Sequence, residues 1–234
     1  MSKTRITLKD VANKVGVHSS TVSRVLNPDT RKMVTEEIAA KILAAVDEMG
    51  YRPNAFAQSL KTNRSFTVGV MVPDLTNPAF APIIKGIDNM LEAHGYSVIV
   101  ANTYNLPEKQ KSTAEKFRER HVDGLIIATA KRKDSLIDEC RRDGTPFVQA
   151  VRASSDADVC SVVSDEHIGG NMVISHLAQL GHKKIAYIAG PQFFSTGYER
   201  YQGFLAGMKN AGLKADKDLI VFCDSFSEEE GRNA

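Results

Sequence analysis

Over the first fifty residues, apolar side chains recur at helical spacing in three short runs, each bounded by a capping residue or a glycine. Leu8, Val11, Ala12 and Val15 mark the first run. Thr7 and Asp10 stand at capping-box spacing before it, and Gly16 supplies the positive φ that ends it. Val22, Val25 and Leu26 mark a second helix that begins near Ser19. Ile38, Ile42, Ala45, Val46 and Met49 mark a third, capped by Thr35 and closed by Gly50. Glu36 and Glu37 sit favourably against the positive end of its dipole. Two short helices joined by a glycine-containing turn predict a helix-turn-helix, and the third helix completes its core. With the second helix's apolar positions turned inward, Ser19, Ser20, Thr21, Ser23, Arg24 and Asn27 are left outside or at the edge.

After Pro53 the pattern lapses. Residues 54–60 are enough for one or two helical turns, which are marginal alone in water, and a plain linker fits equally well. From Phe66 the pattern changes to short apolar, β-branched runs alternating with helical ones. The runs 66–72, 96–101, 123–128 and 146–151 read as buried parallel strands. Phe80, Ile83, Ile84, Ile87, Met90 and Leu91 line one helix face between the first two, which stops at Gly95. A fifth run at 159–164 leads into a helix over about 166–180. Residues 183–190, a helix carrying Tyr201, Phe204, Leu205 and Met208, and residues 218–223 continue the rhythm. The alternation predicts a doubly wound α/β sheet, whose ligands lie beyond the carboxyl ends of the strands. Asp74, Asn77 and Phe80 follow the first strand, Arg152 the fourth, Asp165 the fifth, and Thr196 with Arg200 the loop after 183–190. Loop polarity, a helix cap or a surface ion pair explains each one singly; their convergence on one edge favours a binding cleft.

Composition narrows the class. Hydrophobic residues make up 42% of the chain and charged ones 25%, ordinary for a globular protein. No run approaches the roughly 18 apolar residues of a membrane span, and no apolar segment follows the charged N-terminus as in a secretory signal. Cys140, Cys160 and Cys223 have no zinc or disulfide spacing and read as buried reduced thiols. A cytoplasmic protein is expected. Residues 1–64 carry eleven Lys/Arg against six Asp/Glu, whereas the remainder carries nineteen against twenty-two. A basic head on a mildly acidic body directs the head, and not the body, towards a polyanion. Short hydroxyl side chains let the second helix sit deep in a major groove, and Arg24 has the fork geometry to pair with guanine. A merely polar helix face would look the same by itself.

The run ITLKDVANKVGV, then STVSRVLN, Val34-Thr35 and MGYRPNAFAQSL, resembles the lactose/galactose-repressor (LacI/GalR) family of transcriptional regulators over some sixty residues. The likeness continues in VPDLTNPAF, Gly95-Tyr96, VDGLI at 122–126, LGHKKIAYIAGP at 180–191 and RYQGF at 200–204. The resemblance implies an all-α helix-turn-helix head (1–51), a hinge (52–65) and an α/β effector domain like the two-lobed periplasmic binding proteins (66–234). The first lobe would run to about residue 160, and a partial second lobe would fill about 161–234.

It also implies Ser19, Ser20 and Arg24 as major-groove readers, with Thr7, Thr21, Ser23, Asn27 and Thr35 as phosphate or positioning contacts. The hinge, with Asn54 and Ala57, would order on DNA and push Leu60 into the minor groove. Phe80 becomes a stacking wall for a sugar-like effector; Arg200 and Asp165 bond its polar groups, with Asp74, Arg152 and Thr196 beside them. The implied partners are palindromic operator DNA, a small-molecule effector and a second copy of the chain, with no membrane. His18 departs from the family at the cap of the second helix, which leaves that cap weaker or passed to Ser19 and Ser20. Ile38-Ala39 departs in the third helix and implies a lost backbone contact; Ala79 and Val151 depart at the cleft. Gln58 and Phe56 are unusual for the hinge.

Two other classes are weaker. A solute-binding protein fits residues 66–234 alone but leaves the head unexplained. An enzyme on a doubly wound sheet lacks support: there is no GxGxxG after a strand, no GxxxxGK[ST], no HExxH and no GxSxG. The six histidines, at 18, 94, 121, 167, 176 and 182, form no metal spacing. No catalysis, cofactor or metal is expected. The second lobe has barely reached its third strand at Ala234, which reads as a fragment or a shortened product of the family.

Overall fold

The computed structural model describes residues 6–52, 64–156 and 158–234. The chain forms two compact units, 1–63 and 64–234. In the head, α1 (Leu8–Val15) and α2 (Ser19–Leu26) are followed by a single turn, α3 (Pro28–Arg31), and by α4 (Glu36–Met49). The capping box of α1 is closed in both directions. Thr7 N–H donates to Asp10 Oδ2 at 2.8 Å, and Asp10 N–H donates to Thr7 Oγ1 at 3.3 Å. Gly16 ends α1 at φ 73°, in the left-handed region that costs other residues a steric clash. Val11, Ala12, Val22, Val25, Ala39, Ile42, Ala45 and Tyr51 make one core.

Two expectations for the head change. His18 caps α2 itself, its Nδ1 accepting from Ser20 N–H at 3.2 Å, so the cap is not passed to the serines. Thr35 holds the extended N-cap backbone of α4, but its side chain makes no capping hydrogen bond. Ala39 is fully buried in the head core. The extra turn α3 has no apolar period to announce it; the Thr30 hydroxyl donating to Arg24 O at 3.0 Å and Arg31 paired with Glu36 at 2.7 Å hold it. The hinge residues Asn54, Ala57 and Leu60, with Phe56 and Gln58, lie outside the described residues.

In the body, β1 (Thr67–Val72), α5 (Phe80–Ala93), β2 (Ser97–Asn102), α6 (Pro107–Glu119), β3 (Gly124–Ile127), α7 (Ser135–Asp143), β4 (Phe147–Ala150) and β5 (Ser161–Val162) follow in order. All five strands are parallel, arranged β2-β1-β3-β4-β5, with Val70 opposite Val100 on one side and Ile126 on the other. Period-two alternation splits the core. Val70, Val72, Phe80 and Ala128 pack on one face; Met71, Leu125, Ile127, Phe117, Ile137 and Cys140 pack on the other. The chain continues through α8 (Glu166–Gln179), β6 (Tyr187–Ala189), α9 (Ser195–Asn210), a 3₁₀ turn (Lys217–Leu219), β7 (Ile220–Phe222) and α10 (Glu228–Asn233). Strands β6 and β7 form a second parallel sheet covered by Ile174, Phe204 and Met208, with the Tyr187 and Phe204 rings stacked at 4.5 Å.

The doubly wound parallel architecture is as expected, with three differences. Only 187–189 of the run 183–190 is strand, because β7 offers three residues to pair with. The fifth run contributes 161–162 alone and pairs with β4, completing the first sheet. Cys160, beside it, is exposed, whereas Cys140 and Cys223 are buried; all three are free thiols. Among the described residues no helix is long and apolar enough to cross a membrane.

Candidate functional site

On the head, the inward face of α2 is Val22 and Val25, which orients the rest of the helix. Ser20, Arg24 and Asn27 are exposed, and Ser19, Thr21 and Ser23 are half-buried at the edges. Thr7 and Thr35 are exposed at the starts of α1 and α4. Thr7 is already engaged: its hydroxyl donates to Asp10 Oδ2 at 2.7 Å, so it has no proton left for a phosphate while the box is closed. The contact between His18 Nδ1 and Ser20 Oγ, at 2.8 Å, ties a helix cap to the outer face of α2.

In the body, a cavity of about 600 Å³ opens between the turn after β4, the start of α8 and the start of α9. Val151 sits at the lip with φ 66°, an uncommon conformation for a β-branched residue. Arg152 N–H donates to Ala150 O at 2.6 Å, so the chain makes a tight turn around Val151 that belongs to the strained class. This turn carries the Arg152 side chain inside. Its Nη1 donates to Asn105 Oδ1 at 2.6 Å, and its guanidinium lies 3.7 Å from the Phe194 ring centre and 5.6 Å from that of Phe226. Burial, with the Arg200 charge behind it, lowers the Arg152 guanidinium to about 10. It therefore remains cationic at neutral pH, held by aromatic faces and an amide oxygen.

The two sheets meet along this cavity. Ala153 N–H donates to Ser195 Oγ at 2.9 Å, and Arg132 N–H donates to Phe193 O at 2.9 Å. The Arg132 guanidinium stacks 3.6 Å from the Tyr198 ring centre. Asp165 caps α8 by accepting from Ile168 N–H at 2.8 Å, and it lines the cavity. Glu166, next to it, receives both Nε and Nη2 of Arg200, the second at 2.9 Å. The Thr196 hydroxyl, the Gln149 amide nitrogen and the Ser154 hydroxyl are buried without a hydrogen-bond partner among the described residues. A wall of serine hydroxyls, carboxylates and a stacked arginine offers many donors and acceptors over a small volume, the chemistry a small polar ligand uses.

Of the six expected effector residues, Asp165 lines this cavity directly. Arg200 reaches it through Glu166, Thr196 is buried beside the lining residue Ser195, and Arg152 lies buried behind Val151 and Ala153. Asp74 is held locally, accepting from Thr76 N–H at 2.9 Å. Phe80 packs in the core cluster against which Val151 rests. Sequence reasoning missed Glu166, Arg132, Ser154 and Ser195. Glu166 directly follows Asp165 at a helix start, a signal present in the sequence; the others sit in loops with nothing to mark them.

A helix-turn-helix head followed in one chain by parallel α/β sheets defines a class, the regulators with a binding-protein-like second domain. Residues 7–54 match the family model described as bacterial regulatory proteins, lacI family. Residues 65–234 match that of the periplasmic binding proteins and sugar binding domain of the LacI family. The chain belongs to the LacI family. It is 34% identical to the ribose operon repressor of Escherichia coli (strain K12) over 208 residues, covering 88% of this chain and 62% of that one. It is 33% identical over 230 residues to the transcriptional repressor PurR of Serratia proteamaculans, covering 97% and 67%. The chain thus spans under two thirds of the ribose repressor's length. Among solved structures it matches the lac repressor dimer bound to operator and an anti-inducer, with TM-score 0.82, 26% identity, and 97% and 68% of the two chains covered. The transcriptional regulator CelR in complex with cellobiose matches with TM-score 0.66 and 29% identity, over 98% of this chain and 69% of that one.

Proposed function

We propose that the chain is a sequence-specific DNA-binding transcriptional regulator, a repressor, that holds a palindromic operator as a homodimer and answers to a small sugar-like effector. It is not an enzyme and needs no cofactor or metal for this role. The observation that carries the reading is α2: a helix buried on Val22 and Val25 and exposed at Ser20, Arg24 and Asn27, on the basic part of the chain. Ser19, Ser20 and Arg24 read base edges; Thr21, Ser23, Asn27 and Thr35 fix the register on phosphates, and Thr7 holds α1 in place for them. The segment 52–65, through Asn54, Ala57 and Leu60, acts as the hinge that meets the minor groove. In the body, Asp165, Arg200, Thr196 and Arg152 hold the effector from the cavity side, with Asp74 and Phe80 on the first lobe. The CelR–cellobiose complex and the ribose repressor support a sugar-like ligand. The place of action is the cytoplasm, at the nucleoid.

Selection from a random duplex pool with the 234-residue chain tests this at low salt, where phosphate contacts are strong. Enrichment of a palindrome is the expected result. Enrichment of a lone half-site would keep the DNA role and remove the dimer; no enrichment by a folded chain would overturn the proposal. Arg24→Ala should cost about 1–3 kcal/mol and relax one base position.

A further inference from the structure

The cap of α2 constrains what its outer face can read. His18 Nδ1 lies 3.2 Å from Ser20 N and 2.8 Å from Ser20 Oγ. A backbone N–H can only donate, so an Nδ1 that receives it carries a lone pair and the ring proton is on Nε2. The 2.8 Å contact to Oγ is then forced to run from the hydroxyl to the ring, Oγ–H donating to Nδ1. With its single proton committed, the Ser20 hydroxyl offers only lone pairs outward. Phosphate oxygens, guanine O6 and N7, and thymine O4 are all acceptors, and an acceptor-only serine cannot bond them. The donors exposed in a major groove are the amino groups, adenine N6–H and cytosine N4–H. Ser20 is exposed, which leaves those lone pairs open to solvent or to DNA.

We infer that His18 is a specificity-determining positioning residue: by holding the Ser20 proton, it turns Ser20 from a general polar contact into a reader of base amino groups. This rests on α2 being the helix that meets DNA.

The test uses the full chain and an operator selected from random DNA. The pair whose preference Ser20→Ala flattens is taken as Ser20's base pair. There the amino-bearing base is replaced by an analogue without the amino group (purine for adenine, 2-pyrimidinone for cytosine). In separate duplexes the partner base loses its carbonyl (5-methyl-2-pyrimidinone for thymine, 2-aminopurine for guanine). Loss of the amino group should weaken wild-type binding by roughly five- to tenfold more than Ser20→Ala binding, the size of one net hydrogen bond. Loss of the carbonyl should weaken both proteins equally. His18→Ala, which frees the Ser20 proton, should abolish that asymmetry, and His18→Asn, whose oxygen accepts at a cap, should restore it. Amino-group loss that weakens wild-type and Ser20→Ala binding equally overturns the inference, as does full asymmetry in a folded His18→Ala protein. The wild-type and Ser20→Ala comparison decides alone if His18→Ala does not fold. An enriched operator at which Ser20→Ala flattens no position sinks the inference and leaves the DNA-binding reading standing; absence of any enriched operator sinks both.

Discussion

The carboxylate of Asp10 accepts from both the hydroxyl and the backbone N–H of Thr7, and these contacts, the hydroxyl first, hold it below the ordinary carboxyl value of 3.8. The folded value lies under the unfolded one, so the cap's contribution is complete above about pH 3.8 and is lost as pH falls through the folded value. In an NMR titration the Asp10 carboxyl of the wild type should titrate below 3.8, and Thr7→Ala should move it upward towards that value. An Asp10 that titrates identically in both proteins would remove Thr7 as the cause. Asp10→Asn should flatten the acid limb of the head's stability curve. This contact was legible in the sequence because a capping box is a local pattern, three residues wide. The cap at His18 was not, since histidine is outside the set that usually fills an N-cap and only its placed ring reveals the bond. Nor was the Glu166 partner of Arg200, because 34 residues separate them and the fold alone brings them together.

Helices α8 and α9 approach closely, and the reason is a seam of glycines. A Cβ on Gly170 would stand 2.6 Å from Arg200 O, and one on Gly207 would stand 2.7 Å from Ile174 Cβ. A Cβ on Gly203 would run into the His167 carbonyl oxygen. The same approach lets Arg200 on α9 reach Glu166 at the start of α8. Gly203→Ala should therefore push the helices apart at a cost of about 1–3 kcal/mol. For a unit of this size that lowers the melting temperature by about 3–10 °C. The variant should also separate Arg200 from Glu166 and alter the cavity wall that Glu166 forms. Scanning calorimetry of Gly203→Ala against wild type measures the first effect; a melting temperature within a degree of wild type would mean that the seam tolerates a methyl group. At this scale the alternation of strand and helix, the long helices and their glycine stops were readable, since period and punctuation are local. The membership of β5 in the first sheet and the shortening of β6 were not. Pairing decides both, and a parallel pairing partner is set by tertiary contacts remote in sequence.

At the scale of the whole molecule, the shift in charge and in apolar period near residue 65 marks the division between units 1–63 and 64–234. Each unit buries its own core: Val11, Val22 and Ile42 in the head, and separate clusters around Met71, Val70 and Phe204 in the body. A head with so small a core has little stability to spare, because surface outweighs volume in a unit of this length. Removing the fully buried Ile42 side chain, by Ile42→Ala, should cost about 2–5 kcal/mol, enough to unfold the head under ordinary conditions. The body, with no share in that core, should keep its own heat-absorption peak at the wild-type temperature. Calorimetry of the chain is therefore expected to resolve two transitions in wild type and one, unshifted, in Ile42→Ala, with DNA binding lost in the variant. A single transition that moves as a whole with Ile42→Ala would show that the two cores melt together, and the independence of the two units would have to be abandoned.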